Sequence, residues 1–350
     1  MAYNIKRSVS LYSYQEEYYL GKLTLEDCIR EVAKTGATGI ELLPEQMMED
    51  FPIITPEFKD KWFGLMEKYG TEPTCYDAFL ENHIYKNRTC TLKEQIGMMN
   101  RDILMAHELG FKTLRTLVST PMNVIEGSIP YAEENDIKIC IEVHSPFSLN
   151  SGWSDGYMEM ILKTGTKNFG FMPDFGIFCK TVPDVLREQA RRRGINEDCI
   201  KAVDEAFDNR VLKGFSKIQY DTNLGRAHQA YMKANGLPEL MEKVAKLGGD
   251  KVAMDYAFSS FDFSWSNPQD IIDNIQYIYH THAKCYNTNE NYIETSMPLK
   301  EIVDAYKKAG YNGYLSTEYE GNRMMNDAFD VDSIEQVRRH QEALRRAIEE

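Results

Sequence analysis

No stretch of this chain approaches the roughly 20 consecutive apolar residues that a membrane-spanning helix requires. The opening Met-Ala-Tyr-Asn-Ile-Lys-Arg also lacks the apolar core of a secretory signal. A cytoplasmic protein with no membrane partner is the expectation. Positive charge is short as well: 40 Lys and Arg face 54 Asp and Glu, a net charge of −14 over 350 residues. Such a balance repels a phosphate backbone, so nucleic acid is not an expected partner. Cysteine is sparse and its count, seven, is odd. Cys28, Cys75, Cys140, Cys179 and Cys285 sit among apolar or strand-forming residues, which reads as buried free thiols in a reducing compartment. With 43% hydrophobic and 27% charged residues the chain is neither disordered nor fibrous.

What is present is alternation. Ser8-Val-Ser-Leu-Tyr is a short β-prone run, and Thr24-Leu-Glu-Asp27 then opens a helix with a capping hydroxyl and an acid three residues on. Leu25, Cys28, Ile29, Val32 and Ala33 mark that helix's buried face, Gly36 closes it, and Thr38-Gly-Ile-Glu-Leu-Leu is the next strand. The unit returns: Pro56 opens a helix ended by Gly70, and Thr91-Leu-Lys-Glu94 is a second capping box whose helix runs to Gly110. One polar residue near the end of each strand run gives Ser8, Glu41, Tyr76, Arg115, Glu142, Asp174, His282 and Glu318. Six of the seven steps between them are 27 to 39 residues, one strand-loop-helix-loop unit each. The expected fold is therefore an α/β (β/α)₈ TIM barrel with a parallel sheet. The exceptional step, Asp174 to His282, holds about 75 surplus residues and implies a long, mostly helical insertion after strand six.

That pattern divides the chain into 1–179 for the first six β/α units, 180–265 for the insertion, and 266–350 for the last units and closing helix. Helical spacing is read over Asp184–Arg193, Asn196–Phe207 and Pro238–Leu247. The insertion ends in an aromatic run, Tyr256, Phe258, Phe261, Phe263 and Trp265, read either as a surface for a flat aryl group or as lid core. Following strand six, it must lie over the catalytic face.

Glu142, Asp174, His282 and Glu318 each stand at the polar end of a short apolar run. Three carboxylates and one imidazole converging at the carboxyl ends of successive barrel strands suit one divalent ion, Mn²⁺, Co²⁺ or Mg²⁺. His144 shares a strand face with Glu142; it is either a spacer beside the ion or a general acid or base acting on a bound substrate. Lys284, two residues beyond His282, faces inward to hold a substrate oxygen or pair with Glu318 or Glu320. Arg115 and Glu41 are read as binding substrate hydroxyls or pairing with each other, and His280 as a substrate-binding neighbour packed or hydrogen-bonded beside the ligand His282. His83, His107, His228 and His340 lie in loop or helix contexts and receive no chemical role.

Glu-x-His after strand five, Pro-Asp-Phe-Gly after strand six, His-x-Lys after strand seven and Gly-Tyr-x-Gly-Tyr-Leu-Ser-x-Glu-Tyr-Glu-Gly at strand eight together resemble the xylose isomerase-like TIM barrels. Val9-Ser-Leu-Tyr-Ser-Tyr, Ile141-Glu-Val-His-Ser-Pro146, Pro173-Asp-Phe-Gly-Ile-Phe178 and the long insertion resemble, within that group, the α subunits of bacterial C-glycoside deglycosidases, over nearly the whole chain. The resemblance implies Glu142, Asp174, His282 and Glu318 as Mn²⁺ ligands and His144 as catalytic base. It also implies a (3-keto) C-glycoside substrate, proton abstraction beside a carbonyl with elimination of the aglycone, and a small β-sandwich partner subunit, with a homo-oligomer as the fallback. A metal-dependent sugar isomerase or epimerase is the alternative, with Glu142 and Glu318 as proton shuttles. The further His-Arg pair of ketose epimerases has no counterpart in Phe175–Lys180 or Cys285–Thr288. An endonuclease IV-like phosphodiesterase is poorer still, because it needs a richer ligand set and a basic groove.

Overall fold

Eight short strands carry the architecture: β1 (Lys6–Ser10), β2 (Gly39–Leu42), β3 (Glu72–Asp77), β4 (Thr113–Thr116), β5 (Lys138–Val143), β6 (Phe169–Pro173), β7 (His282–Cys285) and β8 (Tyr314–Tyr319). The computed structural model describes residues 4–210, 224–321 and 331–350; the part of the expected insertion at 211–223 lies outside them. All neighbouring strands are parallel, in the order β6-β5-β4-β3-β2-β1-β8-β7. The two ends of this sheet meet through parallel bridges at Phe171–Ile278 and Asp174–His282, and the Tyr279 N–H donates to the Phe171 carbonyl at 3.2 Å. The curled sheet thus returns on itself as a barrel, with helices packed outside it.

The helices begin where local chemistry dictates. Thr24 and Asp27 cap the helix Leu25–Lys34 reciprocally, and Thr91 and Glu94 do the same for Leu92–Glu108. Each box satisfies two backbone groups that an uncapped terminus would leave open, worth about 1 kcal/mol. Gly70 (φ 63°) terminates Pro56–Tyr69 in the left-handed region that glycine alone enters at little cost. The apolar faces of the helices pack on the outward residues of the strands, as with Ile139, Ile141 and Val143 of β5, all fully buried. The inward residues alternate with them; Cys75, Cys140 and Met172 form a small apolar layer across the barrel interior. All seven cysteines are free and buried. No described helix is long and apolar enough to cross a membrane.

Two assignments along the strands differ from the sequence reading. The run Tyr277-Ile-Tyr is not strand: a 3₁₀ turn occupies Ile275–Tyr277, and β7 starts at His282 rather than ending near it. Ile278–Thr281 is tied instead by the Phe171–Ile278 bridge, the Tyr279 N–H to the Phe171 carbonyl and the Ser316 N–H to the Thr281 carbonyl, so aromatic β propensity there is overridden by the closure of the barrel. Tyr76 is the second. Its ring lies outside the barrel, edge-on to Phe111, and its hydroxyl meets Asp102, so the inward residue at the end of β3 is Asp77.

Between β6 and β7 the described residues form helices Asp184–Arg192, Glu197–Asp208, Leu224–Ala234, Leu237–Lys246, Lys251–Ser259 and Gln269–Asn274. The aromatic run is chiefly the core of this insertion: Tyr256, Phe261 and Phe263 are buried, Phe263 edge-on to Tyr286, while Phe258 is exposed. Trp265 bridges backbone to backbone with Phe178, which ties the insertion's end to the loop after β6.

The closing helix, Ser333–Glu349, buries His340 against β8, where Nδ1 lies 2.9 Å from the Thr317 hydroxyl. Burial disfavours the imidazolium and lowers the His340 pKa from 6.5 to about 3. The unfolded chain therefore takes up a proton that the folded chain refuses. This stability is complete above about pH 6.5 and is lost as pH falls toward 3. The contribution is at most about 5 kcal/mol. Urea midpoints of the parent chain should fall from pH 7 to pH 4 more steeply than those of His340→Gln; equal slopes would show that His340 titrates normally.

Candidate metal and active site

The carboxyl ends of the strands converge on a dense, buried set of charges. Glu41 (β2), Asp77 (β3), Arg115 (β4), Glu142 (β5), Asp174 (just after β6), His282 and Lys284 (β7) and Glu318 (β8) are each 3% exposed or less. Strand alternation places them there: Glu142 follows Cys140 by two residues, and Asp174 follows Met172 by two. One ligand atom from each of Glu142, Asp174, His282 and Glu318 lies within 4.8 Å of the others. The four residues expected to share an ion are thus brought to one point.

His282 is the pivot. Its Nδ1 faces Glu142 Oε1 at 2.9 Å and Glu318 Oε2 at 3.3 Å, while Nε2 donates to Glu41 Oε1 at 2.6 Å. The other oxygen of Glu41 accepts from His280 Nε2 at 2.9 Å. Glu41 and His280, read from the sequence as substrate-binding, therefore stand behind the His282 ring, and Glu41 does not pair with Arg115. Arg115 Nε instead donates to Asp77 Oδ1 at 3.1 Å and lies 3.8 Å from Glu142 Oε2. Lys284 Nζ reaches Asp174 at 2.6 Å, Glu320 at 2.9 Å and Glu318 at 3.2 Å. His144 follows β5 on the Glu142 side; its Nδ1–H donates to the Ser145 carbonyl at 2.7 Å.

Reading Tyr76 as the strand end overlooks Asp77. Cys75 already marks the inward face, so the residue two further on, Asp77, was the signal. Glu320 was named only as a partner for Lys284, although it completes the acidic ring.

Electrostatics decide what the site can hold. Six carboxylates (Glu41, Asp77, Glu142, Asp174, Glu318, Glu320) face two permanent cations, Arg115 and Lys284, within this ion-paired set. Burial opposes the charged form of His282, yet Glu318, Glu41 and Glu142 hold its pKa well above the usual value. Burial opposes the Lys284 ammonium too, yet Asp174, Glu318 and Glu320 raise its pKa. Burial pushes Glu318 up to about 7, against the pull of His282 and Lys284. Burial also acts to raise Glu142, but His282 and Arg115 hold it well below the carboxylate range. The site draws in positive charge wherever it can. Glu318 Oε2, ion-paired but without a hydrogen bond, joins Glu142, Asp174 and His282 Nδ1 in the oxygen-rich donor set of a hard or borderline divalent ion. The residues fit such an ion, with Glu41 holding the proton on Nε2 so that Nδ1 is the ligand atom.

This geometry gives Glu41 a measurable role. Glu41→Gln should weaken divalent-metal affinity about 10- to 100-fold, as for other carboxylates that orient a ligand imidazole. Titration calorimetry with Mn²⁺ checks it, and unchanged affinity would remove Glu41 from that role.

An eight-stranded parallel barrel with ionisable groups gathered at its carboxyl face defines a TIM barrel, and the chain's fold is similar to that of xylose isomerase-like proteins. Over 99% of its length and 98% of the other chain it superposes on a xylose isomerase domain protein from Alicyclobacillus acidocaldarius, with a TM-score of 0.55 at 9% identity. Its relatives in sequence are more particular. It is 27% identical, over 99% of this chain and 93% of the relative, to a C-glycoside deglycosidase alpha subunit of Arthrobacter globiformis. It is also 26% identical, over 89% of this chain and 87% of the relative, to the 3'-dehydrocarminate deglycosidase alpha subunit of a Microbacterium species. No protein-family model matches the chain.

Proposed function

We propose that the chain is the catalytic subunit of a cytoplasmic C-glycoside deglycosidase, cleaving 3-keto C-glycosides by elimination with Mn²⁺ (or Co²⁺ or Mg²⁺) held by Glu142, Asp174, His282 and Glu318. The observation that carries this is His144: it stands just past β5, two residues after Glu142, with Nδ1–H committed to the Ser145 carbonyl. That tautomer leaves Nε2 with its lone pair, the form a general base needs.

A carbon–carbon glycosidic bond resists acid hydrolysis because the leaving carbon has no lone pair to protonate. A ketone at C3 changes the problem, since it acidifies the C2 proton. His144 Nε2 takes that proton, the C2–H electron pair forms the C1=C2 double bond, and the aglycone leaves C1 with the bonding pair. When bound, a divalent cation supplies Lewis-acid stabilisation of negative charge on the sugar oxygens. Lys284, held among Asp174, Glu318 and Glu320, and Arg115, beside Glu142, supply the positive charge near the mouth of the site. The name 3'-dehydrocarminate deglycosidase borne by one relative supports a ketone-bearing substrate. "Alpha subunit" in both relatives' names supports a second subunit as partner.

The second reading, a sugar isomerase or epimerase, is favoured by Glu142 and Glu318 meeting at one imidazole nitrogen, where two carboxylates serve two faces of a substrate. An activity panel separates the two. With Mn²⁺, 3-keto C-glycosides should release aglycone while free ketoses are left unchanged, and chelation should abolish release. Turnover of free ketoses alone would transfer the assignment to the isomerase reading. Co-expression with a small β subunit should yield a hetero-oligomer on sizing; full activity from the chain by itself would refute the need for a partner.

A further inference from the structure

The elimination leaves one proton unassigned. The aglycone departs with an electron pair and must be protonated, while His144 has just become protonated on the sugar side. The insertion brings a candidate to the same mouth. The Cys179 N–H donates to the Ser264 carbonyl at 2.9 Å, and the Ser266 N–H donates to the Ile177 carbonyl at 2.7 Å. The hydroxyls of Ser145 and Ser264 lie 2.8 Å apart. Ser145 follows His144 directly and Ser264 lies two residues after Asp262, so this stitching sets the Asp262 turn over the loop that carries the base.

The turn is built to present that side chain. Arg210, stacked over the Phe261 ring at 3.8 Å, donates from one nitrogen to the carbonyls of Ser260 at 3.0 Å and Phe263 at 3.1 Å. It therefore grips the chain on both sides of Asp262. The Asp262 side chain is 54% exposed, yet burial is the largest influence raising its pKa, followed by the opposing charges of His228 and His144. Asp262 thus stands, partly enclosed, on the turn that the Ser264–Ser145 contact ties to the His144 loop, close enough for the Asp262 and His144 charges to act on each other. Behind it, His228 Nε2 lies 4.0 Å from Asp262 Oδ1 and is itself buried without a hydrogen bond.

We propose that Asp262, supplied by the insertion, is the acid that protonates the departing aglycone, with His228 as the group behind it that returns the proton. The inference rests on the eliminative reading above. His144 takes the C2 proton; the C1–aglycone bond breaks with its electron pair moving to the aglycone. The Asp262 O–H bond then breaks to deliver its proton to that atom, and the carboxylate is reprotonated through His228 from water. The sum is an unsaturated 3-keto sugar and the free aglycone, with no oxidant or reductant consumed.

The test compares two rates in the metal-loaded full-length enzyme with its partner subunit: exchange of the C2 proton of 3-keto glycosides in D₂O, followed by NMR, and aglycone release. Asp262→Asn should lower the ratio of release to exchange on the order of 10²-fold, as for a lost general acid. The deficit should grow with aglycone basicity, and Asp262→Ala should show the same dependence. A ratio unchanged in both variants, or one lowered equally for weakly and strongly basic aglycones, would overturn the proposal. A parent enzyme that exchanges C2–H but releases no aglycone would sink the eliminative reading instead, a result visible before any variant is made.

Discussion

Replacing His144 by alanine is expected to cut turnover of a 3-keto C-glycoside on the order of 10²-fold or more while leaving metal content near one ion per chain. The argument is geometric. His144 follows Glu142 by two residues but spends Nδ1–H on its neighbour's carbonyl, and it is not among the four residues whose ligand atoms converge. Loss of the ring therefore removes the proposed base and leaves the donor set intact. The loss should fall on kcat, because proton removal belongs to the transition state rather than to binding. C2 proton exchange must fall in step with aglycone release, since both begin with the same abstraction. Metal analysis and single-turnover kinetics on the same preparation decide the matter. Loss of the ion from His144→Ala would make that residue a ligand.

What the sequence disclosed here follows the range of the forces involved. Capping boxes act over three residues, so Thr24–Asp27 and Thr91–Glu94 were legible as helix starts and stand as such in the structure. The polar ends of β5, β6 and β8 were legible because each interrupts an apolar run, and the regular step between them disclosed the barrel. Failures came where one register decision controls the outcome. Choosing Tyr76 rather than Asp77 as the end of β3 reversed which residue faces inward, since strand side chains alternate with period two. The aromatic density before β7 resembled a strand, but ring closure by two bridges set the geometry there, which no local pattern encodes. Pairings across the barrel were equally hidden: Glu41 with both His280 and His282 spans more than two hundred residues, and only the closed fold brings them within 3 Å. The helices Leu224–Ala234 and Lys251–Ser259 have no clear signature in the sequence, and the aromatic run between Tyr256 and Trp265 admits two readings there; in the fold the Tyr256, Phe261 and Phe263 rings are buried and Phe258 is exposed.

Asp174→Ala should produce the largest combined loss, and it tests the ion and the buried charge network together. Asp174 Oδ2 lies 2.6 Å from Lys284 Nζ, and Oδ1 accepts from the Gly176 N–H at 2.6 Å, which fixes the carboxylate at the mouth. Removing it deletes a proposed ligand, so bound Mn²⁺ should fall to substoichiometric levels and kcat/KM should drop on the order of 10³-fold or more, the equivalent of several kcal/mol of lost charge stabilisation. It also strands part of the Lys284 charge, because a buried ammonium that loses a partner costs about 3–5 kcal/mol. Glu318 and Glu320 remain as neighbours, which places the expected destabilisation at the lower end of that range. The two consequences separate in the double variant Asp174→Ala/Lys284→Met, which removes the stranded cation along with the carboxylate. Its denaturation midpoint should recover toward the parent value, while metal content and activity should stay lost. If Asp174→Ala alone binds Mn²⁺ with parental affinity, Asp174 is no ligand and the ion sits elsewhere. If the double variant is no more stable than the single one, the Lys284 ammonium is already satisfied by Glu318 and Glu320, and the destabilisation of Asp174→Ala belongs to the lost hydrogen bond to Gly176.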